Sequence, residues 1–178
     1  MTVRRVAVTG LGVLSPVGND PKTFFANLMA GKSGIKRIQT DFVDSLDCKI
    51  AAYINNYEPL DHFVKNKAAT MDRVTQFAVS ASQQAINDAG LNLETEDLER
   101  FGVYLGTGMG GAASIEEGYV RLYKEQARRL KPFTVLMAMN NAASAQVALD
   151  FGITGPDLTF CTACSSSSVA IGEAVRQI

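Results

Sequence analysis

The stretch "GPDLTFCTACSSSSVAIGEAVRQI", residues 155–178, decides how this sequence folds. Its first half is an apolar run after a Gly-Pro turn, which is typical of a buried strand. Its second half returns apolar residues at helical intervals, so a helix follows the strand with almost no loop between them. Cys161 and Cys164 lie at this junction, and Ser165–Ser168 suit the cap and first turn of the helix.

The same alternation of strands and helices runs through the rest of the chain. Strands, with the glycine turns that close them, are predicted at residues 4–12, 48–54, 100–111 and 155–164. Helices are predicted at 21–30, at 72–90, from Ser114, at 140–152 and from Ser165. The helix at Ser114 is expected because Glu117 follows three residues later, the spacing of a capping box. This order predicts an α/β fold with a mixed, mainly parallel sheet.

The composition narrows the classes of function. The chain has 178 residues, 47% of them hydrophobic, which is enough to bury the core of one domain. Seventeen Lys and Arg against eighteen Asp and Glu leave no basic surface for nucleic acid or anionic membrane. No apolar run approaches the ~20 residues of a membrane span. The number of cysteines, three, is odd, and the sequence shows no export signal. Both features predict that the protein is located in the reducing cytoplasm.

The glycine turn "GTGMGG", residues 106–111, allows a second interpretation. Gly106, Gly108 and Gly111 form a G-x-G-x-x-G pattern between a strand and a helix, which is the context of a dinucleotide-binding turn. Glu125 lies at about the distance of the acidic residue in that fingerprint, but it falls in a charged helix and not at a strand end. Tight turning and close packing explain the glycines equally well. A nicotinamide-dependent oxidoreductase therefore stays open as the weaker alternative.

The two cysteines of the junction allow several chemistries. Their C-x-x-C spacing lacks the second pair of a structural zinc site, and neither Cys48 nor His62 stands in a ligand motif, so no metal is expected. Cys161 falls inside the apolar strand, which predicts a buried small hydrophobe and argues against a redox pair.

Cys164 is the stronger candidate for chemistry. The unpaired amides at a helix start favour a thiolate and can also hold the oxyanion of an acyl intermediate. An acyl-carrying nucleophile and an inert buried cysteine are the two interpretations left for Cys164.

Four segments in order along the chain resemble the β-ketoacyl-acyl carrier protein synthases. They are "VAVTGLGVLSPVGND", "MDRVTQFAVSASQQAINDAGL", "GVYLGTGMGG" and "GPDLTFCTACSSSSVAIGEAVRQI". The likeness is strongest to the elongating type II enzymes and their polyketide relatives. It implies the thiolase-like superfamily, in which two similar halves build a layered αβαβα structure and the protein forms homodimers. Residues 1–178 would then be the amino-terminal domain, with the carboxy-terminal half absent.

The resemblance also implies roles for individual residues. Cys164 would take the acyl chain from a carrier-protein thioester, with its own backbone N–H as one oxyanion donor. Met109 and Ala163 would line the acyl pocket, together with Val135 and Met139 from the neighbouring subunit. Lys65, Lys67, Arg128 and Arg129 would face the acidic acyl carrier protein. Plain core packing and a solvated surface remain the alternatives for these last two groups of residues.

The sequence differs from the family in the residues that catalyse condensation. Family members condense with two histidines and a lysine from their second half, whereas this chain has only His62, which matches no catalytic position. We expect His62 to be a surface or structural residue. The whole enzyme would be a 3-oxoacyl-carrier-protein synthase of fatty acid or polyketide elongation that uses malonyl thioesters and no cofactor. A non-catalytic half-protein that binds carrier protein or dimerises is the alternative.

Overall fold

The computed structural model describes residues 5–178. Its helices are α1 (Pro21–Met29), α2 (Lys65–Ala68), α3 (Arg73–Asp88), α4 (Ala112–Tyr119), α5 (Thr134–Ala138), α6 (Ala142–Phe151) and α7 (Ser166–Gln177). A π-helical turn, Val120–Lys124, extends α4. The strands are β1 (Ile35–Arg37), β2 (Ile50–Ala52), β3 (Val103–Gly106) and β4 (Asp157–Phe160). None of the helices within this range is long and apolar enough to cross a lipid bilayer.

The strands form two separate pairs. β1 and β2 are antiparallel, with Ile35 opposite Ala52. β3 and β4 are parallel, with Val103 opposite Asp157 and Gly106 opposite Phe160. The connection between β3 and β4 runs through α4, α5 and α6, and α7 packs on β3 and β4. The predicted α/β class is confirmed. The described strands do not form the single, mainly parallel sheet that was predicted, because one pair is parallel and the other, separate pair is antiparallel.

The strand predicted at residues 4–12 is wrong for its described part, because residues 5–14 pair with no strand of the described chain. The segment lies along α3, where the Leu11 N–H donates to the Asp88 carboxylate at 2.9 Å and the Val13 N–H to the Gln84 side chain at 3.0 Å. Gly12 makes this approach possible, since an added Cβ would lie 1.9 Å from the Ala81 carbonyl oxygen. Side chains of α3 therefore replace a neighbouring strand.

The helix limits predicted from local signals are mostly confirmed. Asp20 caps α1 by accepting the Thr23 N–H at 2.8 Å, Pro21 is its first residue, and Gly31 follows it at φ +67°. The Thr23 hydrogen bonds hold the pKa of Asp20 below its usual range. α6 ends at Gly152 with φ +68°. Where the stop signal lies within a few residues of the helix, the sequence alone places its end correctly.

The helix start predicted at Ser114 is wrong, because α4 begins two residues earlier and Ser114 bonds elsewhere. Asp72, which caps α3 by accepting the Val74 N–H at 3.0 Å, also accepts the Ser114 N–H at 2.9 Å and the Ser114 hydroxyl at 2.6 Å. One buried carboxylate thus satisfies amides at the starts of two helices, an arrangement that both the orphan amides and the helix dipoles favour.

The core lies where α3 and α6 meet β3. Met71, Val79, Val103 and Val147 are buried together, with partly buried Phe63, Ala78, Ala148, Phe151 and Ile153 around them. Much apolar surface lies outside this core: Val8, Met109 and Leu149 are each at least 75% exposed. Apolar area of this extent on one chain is typical of surfaces that pack against other protein.

Asp72→Ala tests the shared cap. Because the substitution removes three accepted hydrogen bonds and leaves the amides of two helices unpaired, we expect the free energy of unfolding to fall by about 2–4 kcal/mol in urea titrations. The matched control is Asp97→Ala, which removes the exposed cap of the short turn Leu98–Arg100 and should cost less than about 1 kcal/mol. Equal losses in both variants would refute the shared cap.

Candidate active site

Cys164 lies at the strand-to-helix junction, as predicted. It is the middle residue of a 3₁₀ turn, Ala163–Ser165, between the end of β4 and the start of α7. Cys164 is exposed and forms no disulfide, so the interpretation of this residue as a buried cysteine is wrong. Among residues 5–178, no acceptor bonds the Cys164 backbone N–H and no partner bonds its thiol. An exposed residue with a free thiol and an unpaired amide therefore lies two residues before a twelve-residue helix.

A strained turn sets the direction of Cys164. Ala163 adopts φ +53°, in the left-handed region that costs an L-residue roughly 1–2 kcal/mol. The turn is closed by the Ser165 N–H, which donates to the Thr162 carbonyl at 3.3 Å, and by the Ser165 hydroxyl, which donates to the same carbonyl at 2.7 Å. Strain of this kind persists only where the surrounding contacts determine it.

Ser166 fixes the junction to the rest of the chain. Its hydroxyl accepts the Thr162 N–H at 2.8 Å and shares its hydrogen between the carbonyls of Ala163 at 2.7 Å and Thr107 at 3.0 Å. The side chain is 2% exposed. The serine run does form the first turn of α7, but the cap residue Ser165 makes no capping bond with its side chain. Ser166 instead joins β4 to the loop after β3.

The glycines of "GTGMGG" are explained by close packing. An added Cβ at Gly106 would lie 2.4 Å from backbone atoms of Ser166 and Ser167, and one at Gly111 would lie 1.9 Å from the Met137 carbonyl oxygen. Gly110 has φ +55°, while Gly108 faces open space. Glu125 follows the π-helical turn and not a strand, which does not fit the dinucleotide fingerprint.

Cys161 is exposed, so its predicted burial is wrong. The residue comes directly after β4, and its thiol donates to the Gly108 carbonyl at 3.1 Å and lies 3.6 Å from the Asn140 side-chain nitrogen. β4 ends at Phe160, so Cys161 lies in the loop after the strand and not within the strand from which its burial was predicted. These contacts bring the loop that carries Met109, itself 75% exposed, close to the junction.

The other pocket residues lie elsewhere in the single chain. Val135, on α5, and Met139, just after it, line an open apolar cavity of about 330 Å³ together with Ile115, Tyr119, Leu122, Leu130 and others. Neither Cys164 nor Met109 lines this cavity. Ala163 is exposed at the turn. Within one chain, the structure places Met109 and Ala163 with the cysteines and Val135 and Met139 apart from them.

The four basic residues predicted for docking differ in their surroundings. Lys65 on α2 and Arg128 and Arg129 after the π-helical turn are exposed. The Lys67 ammonium lies 2.7 Å from the Asp150 carboxylate and 5.8 Å from the centroid of the Phe63 ring. Its charge is therefore largely compensated within the chain.

His62 stands on an aromatic cluster far along the chain from Cys164. Its ring is stacked on Tyr57, with centroids 4.6 Å apart and planes 8° from parallel. Burial raises the pKa of the Tyr57 hydroxyl, which bonds with the Ser80 hydroxyl at 3.0 Å. His62 is thus a surface residue with a structural contact to Tyr57, as expected. Residues 5–178 contain no group of three His, Cys, Asp or Glu side chains that could hold a metal.

Residues 3–178 match the model of the beta-ketoacyl synthase N-terminal domain. The chain belongs to the β-ketoacyl synthase family. It is 37% identical over 173 residues to 3-oxoacyl-[acyl-carrier-protein] synthase 2 of Staphylococcus aureus strain COL, covering 97% of this chain and 42% of that protein. The synthase of the same name from Synechocystis is 36% identical over 98% of this chain and 42% of that protein.

Solved ketosynthases share the fold. A β-ketoacyl synthase from Burkholderia phymatum superposes with a TM-score of 0.79 at 26% identity, covering 96% of this chain and 42% of that one. A type II polyketide ketosynthase, solved with its acyl-carrier protein and a bound hexaketide, gives a TM-score of 0.79 at 22% identity, over 96% of this chain and 45% of that one. The predicted thiolase-like fold is confirmed. The chain spans less than half the length of these relatives.

Gly106→Ala tests whether the packing of β3 on α7 positions Cys164. The added methyl would meet main-chain atoms of α7, so we expect a loss of about 2 kcal/mol in unfolding free energy and slower alkylation of Cys164 by iodoacetamide. Gly108→Ala is the matched control, because its Cβ meets nothing within 4 Å, and it should change stability by less than about 1 kcal/mol. Unchanged alkylation in Gly106→Ala would contradict the positioning role.

Proposed function

We propose that Cys164 accepts an acyl group from a carrier-protein thioester, the loading step of a 3-oxoacyl-carrier-protein synthase. The observation that carries this proposal is the exposed Cys164 thiol beside its own unpaired backbone N–H at the start of α7. Membership of the β-ketoacyl synthase family supports the same role.

The chemistry of loading uses groups at this junction. The Cys164 thiolate attacks the thioester carbonyl carbon, and the carbonyl oxygen becomes an oxyanion. The unpaired Cys164 N–H, beside the start of α7, is the candidate donor to that oxyanion. Collapse of the intermediate breaks the original carbon–sulfur bond, releases the carrier thiol and leaves the acyl group on Cys164.

The acyl pocket is proposed to form between two copies of the chain. Met109 and Ala163 lie at the junction, while Val135 and Met139 belong to the cavity beside α5. Val135 is 72% exposed, and its neighbours Phe133 and Leu136 are 56% and 57% exposed. A homodimer that packs this apolar surface would bring the four side chains to one acyl chain.

Condensation with malonyl-carrier protein is proposed for a longer protein of which residues 1–178 are the amino-terminal domain. The only histidine of the sequence, His62, is stacked on Tyr57 and lies outside the junction. Decarboxylation therefore requires groups that this sequence does not contain. We place the reaction in the elongation of fatty acids or polyketides, and in the cytoplasm, where the three free thiols would be reduced unless small-molecule disulfides accumulate.

The acyl carrier protein is the proposed partner. One structural neighbour was solved as a ketosynthase with its acyl-carrier protein. Lys65, Arg128 and Arg129 make no ion pair within residues 5–178 and would supply positive charge for an acidic surface, whereas Lys67 is paired with Asp150. A protein that binds carrier protein without condensing is the second candidate, and it would use the exposed basic side chains but not the junction at Cys164.

Cys164→Ala tests the nucleophile. Incubation of the chain with an acyl-carrier thioester should add one acyl mass to the intact protein, and Cys164→Ala should remove the adduct because its thiol is lost. Cys48→Ala, at another exposed thiol, is the control and should still be acylated. An adduct that persists in Cys164→Ala would show that Cys164 is not the nucleophile. Release of carbon dioxide from malonyl-carrier protein by this chain alone would contradict the proposal that decarboxylation needs groups outside residues 1–178.

Lys65→Ala tests carrier docking. We expect it, and Arg128→Ala, each to weaken binding of a fluorescent acyl carrier protein by about 3- to 10-fold, with a smaller effect in high salt. Lys67→Ala should weaken binding less than about 2-fold, because Asp150 already compensates that charge. Lys22→Ala, on α1, is the control for general charge. Equal effects of Lys65→Ala and Lys67→Ala in anisotropy titrations would contradict this distinction.

A further inference from the structure

We propose that Cys161 and Cys164 form a reversible disulfide by exchange with small-molecule disulfides, with Cys161 as the resolving thiol. The regulatory consequence of this bond rests on the proposed acyl transfer, since a disulfide at Cys164 removes the nucleophile. Formation of the bond does not depend on acyl transfer.

The first support is that both thiols are accessible. The sequence predicted Cys161 to be buried, and burial was the reason to discount a redox pair. Cys161 and Cys164 are in fact both exposed and free, with the C-x-x-C spacing of thiol–disulfide exchange proteins at the start of a helix. Cys48, the third free thiol, precedes β2 and lies more than one hundred residues away in sequence.

The second support is the bent backbone between the two cysteines. Three fully extended peptide units would span about 10 Å, while a disulfide needs Cα atoms about 4.4–6.8 Å apart. The chain is not fully extended here, because Thr162 has φ −126° and ψ 40° and Ala163 has φ +53°. These two residues set the separation of the Cα atoms of Cys161 and Cys164 and make it shorter than that of an extended segment.

The third support is the environment of the Cys161 sulfur. Its thiol donates to the Gly108 carbonyl and has the Asn140 amide nitrogen at 3.6 Å, which are neutral, weak contacts that exchange can replace. Within the described chain no other group engages this sulfur. Asn140 and Gly108 therefore hold Cys161 at the junction in its reduced form without burying it.

The exchange balances in two steps. The Cys164 thiolate attacks one sulfur of the small disulfide, which forms a mixed disulfide and releases one small thiolate. Cys161 loses its proton to solvent and attacks the Cys164 sulfur, which releases the second small thiolate. The protein loses two electrons and two protons, and the small disulfide is reduced to two thiols. Closure also breaks the hydrogen bond from Cys161 to the Gly108 carbonyl, which is one contact of the loop that carries Met109.

Glutathione disulfide is the probe, applied to the full chain in buffers of graded glutathione ratio. We expect an intact mass lower by about 2 Da, with full reversal by dithiothreitol. Residues 130–176 form one tryptic peptide with both cysteines, because the bond after Lys131 precedes proline, while Cys48 falls in residues 38–49. The mass decrease should lie in the first peptide alone.

Cys161→Ser separates the outcomes. It should stop at a stable glutathione adduct on Cys164, while Cys48→Ser should still close the bond as the control. In wild-type protein, acyl loading should fall by about 10-fold or more on oxidation and return on reduction. A wild-type chain that keeps the glutathione adduct while Cys161 remains open to alkylation would overturn the inference and leave loading intact. A disulfide that closes in a chain that never accepts acyl groups would overturn the proposed function instead.

Discussion

The candidate site depends on the absence of a side chain at position 106. Backbone atoms at the end of β3 approach the first turn of α7 closely enough that even a methyl group would overlap with Ser166 and Ser167. This approach allows the Ser166 hydroxyl to reach the Thr107 carbonyl and so to join the two βα connections of the parallel pair. Because Cys164 lies two residues before Ser166, its position depends on β3 as well as on its own strand.

A second constraint orders the helices around this centre. Asp72 is 5% exposed and holds the starts of α3 and α4 through one carboxylate. Since α4 follows the glycine loop directly, the cap at Asp72 and the packing of Gly111 against Met137 together limit where that loop can lie. The loop that carries Met109 is therefore held at both ends while its tip remains exposed.

The sequence predicted elements whose causes are local. Asp20, Pro21 and Gly31 lie next to the helix they limit, and the apolar runs of β3 and β4 are bounded by glycines, so these elements are found from short patterns. The prediction of a strand at residues 4–12 was wrong for its described part because strand pairing depends on a partner that is distant in sequence. The backbone amides of Leu11 and Val13 donate instead to the side chains of Asp88 and Gln84. Ser114 failed for the same reason, since the group that bonds it lies 42 residues earlier.

At Ala163, the conformation that is best for stability differs from the one that suits the role proposed for Cys164. Glycine adopts φ +53° without the penalty that alanine carries, so a chain selected only for resistance to unfolding would have glycine there. Glycine would also populate many other backbone conformations, and the neighbouring sulfur would then sample several directions. Retaining a methyl group in an unfavourable conformation narrows that distribution, because few alternatives to the observed geometry remain. The strain at Ala163 thus lowers the stability of the fold while it restricts the direction of the Cys164 sulfur.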